Sequence, residues 1–186
     1  MGVCGCGKTE VGSRLARMTG AAFYDGDDFH PPENIAKMSR REPLDDVDRL
    51  PWLRTLRDLI VRAPDAVTGS PSIVLACSAL KRGYREMLRG GELPAPDRLR
   101  FLHLCGDPGL ILDRMHRRQG HYMKEEMLRS QMATLEMPGA AESDVFTLSI
   151  DADPDTIAQR AWQLLQGQAS SARATGCRTA GSSPGH

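Results

Sequence analysis

Apolar positions along the chain switch repeatedly between two periods. Between Lys8 and Thr19, Val11, Leu15 and Met18 recur at helical spacing, and Gly20 stands where such a helix would end. The run AAFYDGDD that follows has strand length and finishes in acidic residues, and PPENIAKMSRR then opens a helix with proline in its first turn. Over residues 48–62, Leu50, Leu53, Leu56, Leu59 and Ile60 form one stripe flanked by Trp52 and Arg54, which predicts an amphipathic helix entered near Pro51. Three further apolar, β-branched runs of strand length are SIVLACS (72–78), RLRFLHLCG (98–106) and VFTLSID (145–151). Helical stretches separate them over 82–88, 107–118, 124–136 and 153–166, with Leu128, Met132 and Leu135 in phase in the third.

Strands apolar on both faces, alternating with helices, predict an α/β fold: a parallel sheet covered by helices on both sides. A chain of 186 residues builds one such core rather than two. The expected division is one domain over 1–167 and a disordered tail over 168–186, where Gly, Ser, Ala and Thr dominate without apolar periodicity.

Charge narrows the partners. Lysine and arginine total 24, as do aspartate and glutamate, so there is no electrostatic case for nucleic acid or an anionic membrane. No apolar run is long enough to span a bilayer, and the start lacks the basic and hydrophobic regions of a secretory signal, so a cytosolic protein is expected. Cys4, Cys6, Cys77, Cys105 and Cys177 show no metal-ligand spacing, and the expectation is five free thiols. Only Lys8, Lys37, Lys81 and Lys124 are lysines among the 24 cations, so each lysine invites a chemical reason.

The opening MGVCGCGKTEVG supplies one such reason. Gly2, four residues, then Gly7-Lys8-Thr9 is a complete P-loop pattern, followed at once by the helix that the pattern requires. Its glycines let successive N–H groups face the phosphates of a nucleotide, with Lys8 reaching the β and γ phosphates and the Thr9 hydroxyl ligating magnesium. An ordinary glycine-rich turn is the competing reading. Cys4 and Cys6 occupy variable positions where the backbone binds, so they read as filler.

Other constellations follow the predicted strands. YDGDDFHPPEN places Asp25 and Asp27 at a strand's carboxyl end, where the ligand crevice of a parallel sheet lies. One carboxylate suits the magnesium shell and the other an acceptor hydroxyl; an acidic helix cap is the alternative, and the one favoured for Asp28. REPLDDVDRLPWL sets acids and Arg49 at a helix entrance, where Asp46 or Asp48 would act as the cap. CSALKRGYR puts Ser78 and Lys81 at another strand end, suited to an anionic substrate. In DRMHRRQGHYM, Arg114 and Arg118 share a helix face that could fold over a nucleotide, with Gly120 as hinge; a solvated basic helix end is the other reading.

Taken in order, the P-loop, FYDGDDFHP, PLDDVDRLPWL, CSALKRGYREML, GHYM and TLEMPGAAESDV resemble the gluconokinases, small P-loop kinases related to shikimate kinase and the nucleoside monophosphate kinases. The resemblance spans Gly2 to about Leu165. It implies a P-loop NTPase-like fold with a five-stranded parallel core and a small lid at about 114–124, ATP-dependent phosphorylation of D-gluconate at its 6-hydroxyl for the pentose phosphate route, and, for several members, a homodimer. It also implies roles: Gly2, Val3, Cys4, Gly5, Cys6, Gly7, Lys8, Thr9 and Arg114 around ATP, Thr9 and Asp25 at Mg2+, Asp27 at the acceptor hydroxyl, and Lys8, Asp27 and Arg118 as the catalytic residues. His30, Arg49 and Lys81 would contact gluconate, and Arg114, Arg118 and His121 would belong to the lid, Arg118 at the transferred phosphoryl and His121 against the substrate. Another kinase of the same fold, acting on shikimate or another sugar acid, or a truncated non-catalytic relative, is the alternative.

The chain departs from the family pattern in places. Cys4 and Cys6 replace serines, Asp45 replaces an asparagine, Tyr122 a phenylalanine and Arg82 a lysine; Asp45 would be unhelpful if it faced an anionic substrate. Relatives also carry a short apolar strand ahead of the loop, in the middle of the sheet, where this chain has only Met1. The expectation is a truncated sequence whose sheet lacks its first, central strand and whose stability suffers for it.

Overall fold

The computed structural model describes residues 1–40, 42–64, 71–90, 99–117 and 123–167. Helix α1 (Lys8–Thr19) runs between Gly7 and Gly20, both in the left-handed region at φ 96° and 74°. Strand β1 (Ala22–Asp25) leads through a 3₁₀ turn, Gly26–Phe29, into α2 (Pro32–Ser39) and α3 (Asp46–Arg62). Then come β2 (Ile73–Ala76), α4 (Arg82–Arg89), β3 (Phe101–Cys105), α5 (Pro108–Arg117), α6 (Met123–Thr134), β4 (Val145–Ser149) and α7 (Pro154–Leu165). Every element predicted from periodicity is present, with ends shifted by a few residues. Helix α3 starts at Asp46, two residues earlier than expected, because Asp45 caps it. The Asp45 carboxylate accepts from the Asp48 N–H while the Asp48 carboxylate accepts from the Asp45 N–H. The cap is therefore Asp45, neither Asp46 nor a lone Asp48.

The strands are parallel but form two separate pairs, β1 with β2 and β3 with β4, rather than one five-stranded sheet. Among the described residues, the start of the chain bridges the two pairs. The Met1 amino group donates to the Leu102 carbonyl at 2.5 Å, and its carbonyl accepts from Leu104 N–H at 2.9 Å, a one-residue parallel rung opposite His103. Gly2 N–H reaches the other way, to the Ser78 carbonyl at 3.1 Å. One residue meets only one pair of β3 backbone groups, so the pairing does not extend.

Two apolar clusters cover the sheet. One gathers Val11, Leu15, Leu104, Ile111, Leu148 and Ile157; the other gathers Trp52, Leu53, Leu56, Leu88 and Phe101. Phe101 and Leu104, an odd number of residues apart on β3, enter different clusters, as strand alternation requires. A buried ion pair pins α4 to the loop before β4: Arg85, 0% exposed, donates through Nε and Nη2 to both Glu142 oxygens at 2.7 Å. Beside it, Arg89 pairs with Asp144.

Cys4, Cys6 and Cys77 are free thiols, but Cys105 is disulfide-bonded, which departs from the expectation of five free thiols. Among the described residues no helix is long and apolar enough to cross a membrane. The expected tail, 168–186, lies outside the described residues.

Candidate active site

The loop ahead of α1 has the backbone of an anion cradle. Gly2, Gly5 and Gly7 have φ of 139°, 76° and 96°, a region that side chains make costly. At Gly2 a Cβ would also lie 2.7 Å from the Leu104 carbonyl oxygen. Val3 and Cys6 are buried in the core, at 3% and 1% exposure, and so anchor the loop, with the Cys6 N–H turned inward to the Val3 carbonyl at 3.4 Å. Gly7 offers no side-chain cap, leaving first-turn amides and the positive end of α1 for phosphate. Lys8 Nζ folds back to the Val3 carbonyl at 3.0 Å, and Cys4 N–H donates to Gln131 Oε1 of α6 at 2.7 Å.

Next to the cradle, Thr9 Oγ1 donates to Asp25 Oδ2 at 2.8 Å, while Asp25 Oδ1 accepts from Asp27 N–H at 3.2 Å and so starts the 3₁₀ turn. A hydroxyl and a carboxylate converging beside a phosphate cradle are hard oxygen donors of the kind magnesium takes. Asp27 is exposed at this turn and free of the capping duty that Asp25 performs.

His30 ends the turn and is held from two sides. Its ring stacks on Trp52, with centroids 4.5 Å apart, and Trp52 Nε1 donates to the Gly26 carbonyl at 2.7 Å. The buried Asn34 amide donates to the Asp48 carbonyl at 2.9 Å, which fixes its orientation and turns its second N–H to His30 Nδ1 at 3.3 Å. Burial pushes the imidazole pKa down, with Asp27 pulling it up and Arg49 pushing it down. At neutral pH His30 is therefore a neutral ring carrying its hydrogen on Nε2.

Lys81 and Arg49 meet around Tyr84. Lys81 Nζ lies 5.6 Å and the Arg49 guanidinium 5.8 Å from the Tyr84 ring centre. Both Asp46 oxygens accept from Lys81 Nζ, at 2.7 and 2.8 Å, and the Tyr84 hydroxyl donates to Asp46 as well. These bonds hold the Asp46 carboxyl below its ordinary pKa, Lys81 being the main cause. Asp45, the departure that threatened an anionic substrate, is instead engaged with the Asp48 backbone.

A continuous path thus runs from the P-loop through Thr9, Asp25, Asp27 and His30 to Arg49, Tyr84 and Lys81. Arg114 of α5 donates to the carbonyls of Ile150 and Ala152 after β4, at 2.8 and 3.2 Å, on the helix whose Ile111 and Met115 abut Gly5 of the loop. Arg118, Gly120 and His121 lie outside the described residues, as does much of the expected lid. The sequence reading missed Asp46 as a partner of Lys81, Tyr84 as the platform between two cations, and Asn34 with Trp52 as the holders of His30. Trp52 stood out in the sequence as an aromatic flanking an apolar stripe; Asn34 carried no signal, because its role depends on α2 packing beside α3.

A phosphate cradle at a helix start, a hydroxyl–carboxylate pair beside it and a cationic acceptor cluster at the neighbouring strand end define a P-loop kinase of small molecules. Comparison agrees: the shikimate kinase family model matches residues 4–166. The gluconokinase of Gluconobacter oxydans is 44% identical over 168 residues, covering 90% of each chain. The thermoresistant gluconokinase of Escherichia coli is 45% identical over 151 residues, 81% of this chain and 82% of its own. The crystal structure of a gluconokinase from Sinorhizobium meliloti superposes with a TM-score of 0.77 at 40% identity, covering 91% of this chain and 90% of that one. The chain belongs to the gluconokinase family, within the shikimate kinase-like P-loop fold.

Proposed function

We propose that the protein transfers the γ-phosphoryl group of ATP to the 6-hydroxyl of D-gluconate, giving 6-phosphogluconate and ADP. The observation that supports the proposal is that exposed Asp27 shares one turn with Asp25, the partner of Thr9, and with His30, whose charge it and Arg49 both influence. A carboxylate in that turn suits an acceptor hydroxyl beside the donor phosphate.

In this reading the first-turn amides of α1 and Lys8 hold the ATP phosphates, the Gly2, Cys4 and Cys6 N–H groups already having acceptors in Ser78, Gln131 and Val3. Thr9 and Asp25 would hold Mg2+, which when bound offsets phosphate charge. Arg49 and Lys81 receive the gluconate carboxylate, and His30 donates from Nε2 to a hydroxyl. Asp27 accepts the hydroxyl proton as that oxygen bonds to the γ-phosphorus; the bond from phosphorus to the β–γ bridging oxygen breaks, and its electrons leave with ADP. Arg114, Arg118 and His121 are proposed to act in the lid over residues 114–124, with Arg118 against the transferring group. A cytoplasmic location and a homodimer belong to the same proposal.

A coupled assay for ADP with ATP, magnesium and a panel of gluconate, shikimate and other sugar acids tests it. Gluconate is expected to be turned over with the highest kcat/KM, and Lys8→Ala to abolish turnover. Higher kcat/KM with shikimate or another acid would overturn the acceptor assignment.

A further inference from the structure

Lys81 occupies the N-cap position of α4 and makes no side-chain cap there. It cannot, because an ammonium has no acceptor for the orphan N–H groups of a helix start. A residue from a distant segment does this instead. The Glu136 carboxylate accepts from Arg82 N–H, the first helical amide, at 2.6 Å, and Glu136 N–H donates to the Leu80 carbonyl at 2.9 Å. The peptide groups on both sides of Lys81 are thus held by one residue. Arg85 adds a third restraint, donating through Nη1 to the Ala79 and Leu80 carbonyls at 3.1 Å each. Ala79 has φ 43°, a left-handed conformation that a non-glycine residue keeps only under restraint.

We infer that Glu136 is a positioning residue for the acceptor site: it brackets the backbone of Lys81 and so aims the ammonium at the cluster formed by Asp46, Tyr84 and Arg49. The carboxylate also sits at the positive end of α4, where a negative charge is favoured. Glu136 itself is exposed, so its truncation opens no core cavity. The inference rests on the reading that Lys81 receives the substrate carboxylate, and the experiment separates the two.

The full chain is compared as Glu136→Ala, Glu136→Gln, Lys81→Met and the Glu136→Ala/Lys81→Met pair, with KM for gluconate, KM for ATP and Tm measured for each. Glu136→Ala is expected to raise the gluconate KM about fivefold, the scale of a lost helix cap, with the ATP KM unmoved. Glu136→Gln, which keeps a neutral acceptor, should recover most of that loss. The double variant should be no worse for gluconate than Lys81→Met alone. A raised gluconate KM in Lys81→Met with none in Glu136→Ala would overturn the positioning role and leave the proposed function standing. Additive losses in the double variant, or equal losses for ATP and gluconate in Glu136→Ala, would likewise overturn it. An unchanged gluconate KM in Lys81→Met would overturn the assignment of Lys81, and this inference with it.

Discussion

Thr9 of α1 and Asp25 of β1 are joined by a 2.8 Å hydrogen bond, which brings a hydroxyl from the P-loop helix onto the carboxylate at the end of the neighbouring strand. If this pair holds magnesium, Asp25→Asn should shift the magnesium dependence of turnover to about 10–100-fold higher concentration. Activity measured against magnesium at saturating ATP gives the answer, and an unchanged midpoint would remove Asp25 from the metal site.

Asp27 is expected to act on the acceptor rather than on the nucleotide. Asp27→Asn should lower kcat by about 10²–10⁴-fold, the range of a lost general base. Nucleotide affinity, read by titration with a fluorescent ATP analogue, should stay within about twofold, well under the tenfold that 1.4 kcal/mol represents. Equal loss of both would make Asp27 a structural residue of the turn.

The Asn34 and Trp52 contacts fix the form of His30. Nitrogen-resolved NMR of the imidazole should show the hydrogen on Nε2 at pH 7 and titration below the ordinary value, because burial disfavours the charged ring. A midpoint above the ordinary histidine value would mean that His30 enters the site as a cation.

His103 is 1% exposed on β3, and its Nδ1 has no hydrogen-bond partner among the described residues. Burial, then the Met1 amino group and Arg85, lowers its pKa from 6.5 to about 4. The folded state thus binds fewer protons than the unfolded chain between these values. The contribution to stability is complete above pH 6.5 and declines as pH falls toward 4. His103→Leu removes both the titration and the unpartnered nitrogen. Between pH 7 and 4.5 the wild type should lose more stability than this variant, by on the order of 2–3 kcal/mol in denaturant melts. Parallel losses would show that His103 does not titrate in this window.

The order of strands and helices was legible because the longer helices show an apolar stripe and the strands are short, mostly apolar runs, β3 and β4 being interrupted only by His103 and Thr147. The P-loop was legible because its chemistry lies in consecutive residues: Gly2, Gly7, Lys8 and Thr9 carry it without tertiary help. The Lys81 environment was not. Asp46 and Lys81 are 35 residues apart and Arg82 and Glu136 are 54 apart, and neither pairing leaves a local trace. Asp46 was further obscured by its neighbours, since a run of aspartates at a helix entrance does not reveal which one is the cap. The division of the strands into two pairs and the Met1 rung between them depend on backbone positions that no side-chain pattern encodes.

The reciprocal bonds between Asp45 and Asp48 also settle a charge balance. With Asp45 turned onto the Asp48 backbone and Asp48 paired to Lys37, the cluster around Tyr84 sets two cations, Arg49 and Lys81, against the single carboxylate of Asp46. That leaves one surplus positive charge, the complement of a monocarboxylate. On the proposed reading, the same aspartates that start α3 tune this end of the pocket to one carboxylate, while the phosphate of the product forms at the other end, beside Asp27 and the loop.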